Sequence, residues 1–290
     1  MKRLDFNQLA TFVAIVDASS ITKAAASLHR TQAAISIQLK KLEEGTGKQL
    51  LNRSYNQFTL TREGEILLSY ARRILKLSEE AFNAISDEDI TGIVRFGIPD
   101  GYARAFIQNV LREFMHRFPQ IRIQIKNDDS HNLYKSLHLG DLDLILVTRD
   151  LKESGGELIR REKVCWVAAK DYQFDINQPI PLALYEQGCA YRKNMVEKLN
   201  QVGKDWFVSF ECQGVTGFDI AISNGLAISA SAESLVKDEW RIIKASEGLP
   251  DLGNIEVELH RIPGEGSEAI RCFADELTRQ ISNIHIGEAH

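Results

Sequence analysis

Apolar residues in the first fifty positions recur at helical spacing. Phe6, Leu9, Val13 and Val16 fall at i, i+3, i+7 and i+10, one stripe of a first helix with Asp5 placed to cap it. Ser19-Ser20 interrupts the stripe. Thr22 then predicts the cap of a short helix over Lys23–Leu28, in which Ala24, Ala25 and Leu28 form a small-residue face suited to close packing. His29-Arg30 makes a tight connection, and Thr31 caps a third helix from Gln32 to about Glu44. On it Ala34 or Ile35, with Leu39 and Leu42, faces inward, while Gln32, Ser36, Lys40 and Lys41 point outward. Two short helices joined by a tight turn, the second polar on its outer face, form a helix-turn-helix.

After Gly45 and Gly47, Lys48–Arg53 and Phe58–Thr61 bracket the turn Ser54-Tyr55-Asn56-Gln57, the pattern of a two-stranded wing. Helical spacing restarts at Thr61 and runs without Gly or Pro from Glu65 to about Ser86. Leu67, Tyr70, Ile74, Leu77, Ala81 and Ala84 alternate spacings of three and four, which fits either a helix–helix seam or an amphipathic helix packed on its own domain. The acid-rich Ser86–Thr91 reads as a linker. Beyond Gly92 the pattern becomes α/β. Strands are predicted at Ile93–Ile98, Ile121–Ile125, Leu142–Val147, Lys163–Ala168, Leu182–Tyr185, Trp206–Phe210, Leu226–Ser229 and Glu256–Ile262. Helices are predicted at Phe106–Phe118, Leu133–Leu139, Arg192–Gln201, Gly217–Ser223 and Ser267–Ile284. Parallel βαβ crossovers are the natural reading.

Composition changes the picture little. With 290 residues, 44% hydrophobic and 26% charged, the chain is an ordinary globular protein of about two domains. No apolar run is long enough for a membrane span, and the N-terminus lacks a signal-peptide core, so a cytoplasmic location is expected. Four scattered cysteines and seven histidines offer no metal-ligand spacing, so neither a metal nor a cofactor is expected. Charge is more informative. Residues 1–76 hold twelve Lys and Arg against six Asp and Glu, a net of +6, while the remainder carries −11. A basic head on an acidic body suits a polyanion-binding module.

The run Ser20-Ile21-Thr22-x-Ala24-Ala25-x-x-Leu28-x-x-Thr31-Gln32-x-Ala34-x-Ser36-x-Gln38-Leu39-x-x-Leu42-Glu43, followed by Gly47-x-x-Leu50-Leu51-x-Arg53 and Leu60-Thr61-x-x-Gly64, resembles the DNA-binding region of LysR-type transcriptional regulators. Gly92-Ile-Val-Arg-Phe-Gly-Ile98, the Leu111-x-x-Phe114 helix before Phe118-Pro119, and Gly140-x-Leu142-Asp143-Leu144 resemble that family's effector domain. Tyr185-Glu186-Gln187-Gly188-Cys189-x-Tyr191-Arg192 and Gly225-Leu226-Ala227-Ile228 are similar to a subgroup containing repressors of motility and virulence. Three departures stand out. Gly45-Thr46-Gly47 predicts early fraying of the third helix, Ile37 stands where a polar residue is usual, and the wing offers Asn56-Gln57 in place of an arginine.

The resemblance implies a mixed α/β chain. A winged helix-turn-helix over residues 1–60 would be followed by a dimerisation and linker helix over 61–91. A two-lobed, periplasmic-binding-protein-like α/β effector domain would fill 92–290, with lobe I at 92–162 and 263–290 and lobe II at 163–262. The chain would cross between lobes near Arg161–Val164 and Leu259–Ile262. On double-stranded DNA, Gln32 would pair bidentately with adenine, Ser36 would bond either kind of base, and the Ala33 methyl would meet a thymine methyl. Ile37 shares that surface. Arg30, Thr31, Lys40 and Arg53 would hold phosphates. A small-molecule effector of unknown identity would lie between the lobes, touching Asp100, Gly101, Tyr102, Asp129, Ser130, Thr148, Cys189, Gln213 and Gly214. Asp100, Asp128 and Asp129 would make one rim acidic or stay solvated, with Arg149 or Arg192 as offsets. The resemblance further implies a homodimer through residues 67–84, a tetramer through the effector domains, and RNA polymerase as a partner if the chain activates.

Other classes fit less well. Gly264-Glu265-Gly266-Ser267-Glu268-Ala269 matches G-x-G-x-x-A, yet only 21 residues follow, too few to complete a dinucleotide-binding unit. With no nucleophile elbow, P-loop or paired-carboxylate signature, an enzyme is not expected. A thiol redox-sensing regulator would use Cys189 and Cys212. A solute-binding module without DNA function would leave the basic head unexplained.

Overall fold

The computed structural model describes residues 4–54, 57–84, 90–149, 153, 155–212, 214–262 and 266–282. They divide into two compact units, one built on residues 1–89 and one on the α/β remainder. The first runs α1 (Phe6–Ala18), α2 (Ile21–Ser27), α3 (Gln32–Thr46), β1 (Leu51–Ser54), β2 (Gln57–Leu60) and α4 (Arg62–Ala84). Asp5 caps α1, its carboxylate accepting from the Gln8 N–H at 3.1 Å. The buried stripe of α1 is Leu9, Phe12 and Ile15, whereas Phe6 is exposed and Val13 and Val16 are half-buried. Both sets have helical spacing, and periodicity does not choose between stripes about 100° apart. The cap of α2 is Ser20, accepting from the Lys23 N–H at 3.4 Å, so Thr22 lies inside the helix.

Thr31 caps α3, accepting the Ala34 N–H at 3.2 Å, and Ile35, Leu39 and Leu42 are fully buried. The helix does not fray at Gly45. The Thr46 hydroxyl donates back to the Leu42 carbonyl at 2.9 Å, and Gly47, at φ +69°, ends the helix with its N–H on the Glu43 carbonyl. The strands of the wing pair in antiparallel register from Leu51 opposite Leu60 to Ser54 opposite Gln57. The wing tip, including Asn56, lies outside the described residues.

Two contacts fix the wing to the helices. The Glu43 carboxylate accepts the Leu50 N–H at 2.9 Å. Thr61 accepts the Gly64 N–H at 3.0 Å and donates its hydroxyl to the Gln49 carbonyl at 2.8 Å. At Gly64 the first turn of α4 passes so close to the wing that a Cβ would lie 2.1 Å from the Leu50 carbonyl oxygen. The first unit's core gathers Leu9, Phe12, Ile15, Ala24, Ala25, Ile35, Leu39, Leu42, Leu50 and Leu51 with Leu68 and Ala71 from α4. One face of α4 packs on its own unit, as the amphipathic reading expects, and the other face carries exposed apolar residues. Leu67 packs against this core rather than on the outer seam. Ile66, Tyr70, Ile74 and Leu77 stay exposed along the other side.

The second unit runs β3 (Gly92–Ile98), α5 (Asp100–Tyr102), a π-helical turn (Ala103–Ile107), α6 (Gln108–Arg117), β4 (Ile121–Asn127), α7 (Ser130–His138) and β5 (Leu144–Thr148). It continues as β6 (Glu157–Ala169), β7 (Ile180–Tyr185), α8 (Ala190–Gln201), β8 (Trp206–Cys212), α9 (Val215–Ser223), β9 (Ser229–Ala232), β10 (Trp240–Ile242), β11 (Asn254–Arg261) and α10 (Glu268–Ile281). Helical structure after β3 thus begins at Asp100, not Phe106. The strand expected at Leu226–Ser229 lies at Ser229–Ala232, where Ser229 and Ser231 masked the apolar pattern, and the short β10 was not anticipated. As expected, β3 pairs in parallel with both β4 and β5. The main sheet has the order β10-β6-β11-β5-β3-β4, with β9 also on β6, and β7 and β8 form a separate parallel pair.

Three apolar clusters sit along this sheet, the smallest around Val167, Phe218 and Trp240, and the two larger ones mark the lobes. Val94, Phe96, Phe114, Leu146, Ile159, Val257 and Phe273 belong to the first, and Val164, Trp166, Leu182, Met195, Leu199 and Ile255 to the second. The chain therefore leaves the first lobe between Ile159 and Val164 and returns between Ile255 and Val257, earlier than Leu259–Ile262. The pairing explains the shift. β6 and β11 are antiparallel neighbours with Arg161 opposite Glu256, so the return crossing must lie beside the outward one.

The close approach at Gly64 makes a sharp expectation. Gly64→Ala should destabilise the first unit by about 1–3 kcal/mol, because the Leu50 backbone must move. Gly45→Ala, with nothing within 4 Å of its new Cβ, should stabilise α3 by up to about 1 kcal/mol. Thermal unfolding of the two variants checks both signs.

Candidate functional site

The outer face of α3 is the first site. Gln32, Ala33, Ile37, Lys40 and Lys41 are exposed and Ser36 is half-buried, on a helix whose opposite face is sealed in the core. The Gln32 Nε2 donates to the Thr22 Oγ1 at 2.9 Å, so α2 orients the side chain while its carbonyl oxygen and second amide hydrogen stay available. Thr31 uses its oxygen as the helix cap and keeps its hydroxyl hydrogen to donate. Arg30 is exposed in the turn before α3, where His29 adopts φ +52°. Lys40 makes a solvent-exposed i,i+4 pair with Glu44 at 3.7 Å, a weak partner that a phosphate could replace. Arg53 lies on β1 opposite Phe58.

Across the second unit, the lobes meet at a buried hydroxyl cluster. Tyr102, on α5, is hydrogen-bonded to the Thr148 hydroxyl at 2.8 Å and stands 3.4 Å from the hydroxyl of Tyr191 on α8. Burial pushes the Tyr102 phenol up to about 12, outweighing those hydrogen bonds, and burial likewise raises Tyr191 and Tyr185. Tyr185 stacks on Phe218 with ring centres 4.5 Å apart. Farther along the cleft, Arg104 reaches Asp219 of α9 at 3.0 Å, and Lys237 holds the same carboxylate.

Thr148 also lines a cavity of about 400 Å³ with Arg149, Arg161, Ala190, Asn254, Ile255 and Glu256. Its guanidinium groups are tied down. Arg149 pairs with Glu256 and, at 3.2 Å, with Glu258, while Arg161 reaches Glu256 at 3.1 Å. Arg149 first, then Arg161, holds the Glu256 carboxyl below its ordinary range. Of the nine effector positions expected from sequence, Thr148 lines this cavity, Tyr102 is bonded to it, and Cys189 precedes the lining Ala190. Asp100 and Gly101 form the first turn of α5. Gly214 precedes α9 and faces open space, and Gln213 lies outside the described residues.

Asp129 and Ser130 lie at the start of α7. The Asp129 carboxylate caps α7, accepting from the Asn132 N–H at 3.0 Å and its side-chain amide at 2.6 Å, and Asp128 accepts from the same amide at 3.0 Å. Arg161, Asn254 and Glu256 were not singled out from sequence. The opposed charges of Arg161 and Glu256 gain meaning only once β6 and β11 are known to be antiparallel neighbours.

Cys189 and Cys212 are free thiols that burial pushes above the ordinary range, even with the N–H groups of Arg192 and Tyr191 beside Cys189. A redox-reactive thiolate needs the opposite shift. Among the described residues no group of three His, Cys, Asp or Glu could hold a metal ion, and no helix is long and apolar enough to cross a membrane.

Tyr102→Phe should cost about 1–3 kcal/mol at neutral pH by stranding the Thr148 hydroxyl. The native phenol titrates above its unfolded value of 10.0, so its contribution is complete below pH 10 and is lost as pH rises toward 12. Urea unfolding at pH 8, 10 and 11 should show a smaller alkaline loss in the variant than in the wild type.

Comparison with known proteins places these features. Residues 6–65 match the model of the bacterial regulatory helix-turn-helix protein, lysR family, and residues 87–282 match the LysR substrate binding domain. The regulator PecT of Dickeya dadantii is 29% identical over 91% of this chain and 84% of its own length. DgdR of Burkholderia cepacia is 28% identical over 95% and 94%. The solved structure of full-length LysG from Corynebacterium glutamicum with bound effector Arg shares the fold at a TM-score of 0.71 and 16% identity, covering 96% of this chain and 98% of that one. A helix-turn-helix head and a two-lobed substrate-binding domain, each matched by its own family model, make this chain a member of the LysR family of transcriptional regulators.

Proposed function

We propose that this LysR-type regulator reads duplex DNA in the major groove through α3 and that a small molecule held between its lobes sets its affinity for DNA. The observation that carries this reading is the division of α3. Ile35, Leu39 and Leu42 are sealed in the core, while Gln32, Ala33, Ser36 and Ile37 form the opposite surface of a unit with net charge +6 over residues 1–76. Arg30, Thr31, Lys40 and Arg53 would grip phosphates, which position the helix without reading sequence. The chain acts by binding, in the cytoplasm where the DNA lies, with RNA polymerase as a further partner if it activates.

Residues 67–84 serve as the dimer seam in this proposal, with Ile66 supplying an outer-face contact at its start. Ile66, Tyr70, Ile74 and Leu77 leave four large apolar side chains on one exposed face, 53%, 55%, 37% and 62% accessible, a stripe that pairing two copies would cover. Pairing also fixes the spacing of two α3 helices, so two weak half-site contacts become one strong one. The effector domains would supply a second interface and a tetramer. The functional division is then residues 1–60 for DNA, 61–91 for assembly and 92–290 for the effector. The effector residues put forward are Asp100, Gly101, Tyr102, Thr148, Cys189, Gln213 and Gly214, to which the cavity adds Arg149, Arg161 and Glu256. The effector bound to LysG is consistent with an occupied cleft here.

Selection from a random duplex pool, followed by titration on the selected operator, tests the DNA reading. Gln32→Ala should cost about 1–3 kcal/mol on the operator and little on random duplex. Equal losses on both would show that α3 does not read bases. Replacing Ile74 and Leu77 together by Asp should abolish cooperative binding to paired half-sites while the first unit stays folded. A wild type that sediments as a monomer at micromolar concentration, with and without operator, would refute the dimer seam.

A further inference from the structure

Ala33 and Ile37 stand one helical turn apart on the exposed side of α3, and Ile37 keeps 54% of its surface in solvent. Among the described residues of the first unit, nothing covers this strip. Its frame is polar, with the oriented Gln32 amide at one end, the half-buried Ser36 between, and Lys40 beyond. An isolated exposed isoleucine needs no explanation on an ordinary surface. Here it sits on the outer face of α3 in a head of net charge +6, where with Ala33 it makes an apolar strip between the polar Gln32, Ser36 and Lys40.

In the major groove, only one apolar group distinguishes the bases. Thymine carries a C5-methyl, and the other three bases present only donors, acceptors or ring edges. Four residues of α-helix advance about 6 Å, close to two base-pair steps of about 3.4 Å each, so the two apolar side chains reach base pairs within two steps of each other. Covering a thymine methyl with the Ile37 side chain removes apolar surface from water on both partners. Cytosine in its place would set an amino group, stripped of water, against a hydrocarbon.

Resting on the proposed α3 reading, we propose that Ile37, with Ala33 beside it, is a specificity-determining residue that recognises thymine through its methyl group. Each operator half-site then carries at least one thymine whose methyl, and not its hydrogen-bonding edge, is required. The Gln32 amide, held by Thr22, pairs with a nearby adenine independently of the apolar contact.

Deoxyuridine isolates this term, because it differs from thymidine only by the missing methyl. On an operator obtained from a random pool, each thymine is replaced in turn by deoxyuridine and the affinity measured. Loss of one buried methyl should weaken binding about fourfold at one or two thymines per half-site. Ile37→Ala, a change at an exposed position that leaves the fold intact, should bind thymine and deoxyuridine operators within a factor of two of each other at the Ile37-dependent position. Gln32→Ala should keep the methyl dependence while losing adenine preference. A flat deoxyuridine scan with the wild type would overturn the inference, as would methyl dependence that survives Ile37→Ala. If the pool yields no preferred sequence at all, the α3 reading itself fails, and that result is distinct from a selected operator with a flat scan.

Discussion

The first unit depends on burying one side of α3. Ile35, Leu39 and Leu42 are each within 1% of complete burial, and full burial of such side chains contributes roughly 1.5–3 kcal/mol apiece. Once they are inside, helical geometry leaves no freedom over which residues face out. Ser20, Thr31 and Gly47 mark where α2 and α3 begin and end. Glu43 and Gly64 bring the wing against the same core. The outer face of α3, which the proposal above sets against DNA, is therefore fixed by packing on the opposite side of the helix.

An analogous constraint organises the second unit. β6 and β11 are antiparallel neighbours that both pass through two cores, so the two crossings between lobes lie side by side at Arg161 and Glu256. A two-stranded crossing with its ion pairs at the pivot is a natural place for one lobe to turn on the other. The hydroxyl contacts of Tyr102, Thr148 and Tyr191, and the Arg104–Asp219 pair, join the lobes on the cleft side. A ligand entering there must exchange contacts with these groups, and that exchange is how binding can favour one lobe arrangement over another.

Much of this was legible in the sequence because local rules acted without competition. Asp5 and Thr31 announced their caps, the inward face of α3 followed from its period, and the parallel pairing of β3 with β4 and β5, though not their order, followed from alternating strand and helix patterns. Reading failed where two local options were equal or where long-range pairing decided. Thr22 and Ser20 both suit a cap, and the Phe6 stripe of α1 competes with the Phe12 stripe on spacing alone. Gly45 suggested a frayed end that the Thr46 hydroxyl prevents. Asp129 also caps α7, a local role that its place in the sequence did not announce. The cavity beside Thr148 was least legible, because Arg161 and Glu256, 95 residues apart, meet only through strand pairing.

The account rests on α3 occupying the major groove twice, from two copies at a fixed spacing. Dimethyl sulfate footprinting on the selected operator tests this directly, since it modifies guanine N7 in the major groove and adenine N3 in the minor groove. The account predicts N7 protection in two patches separated by one helical turn or a multiple of it. Protection confined to adenine N3, or a single unrepeated patch, would contradict it.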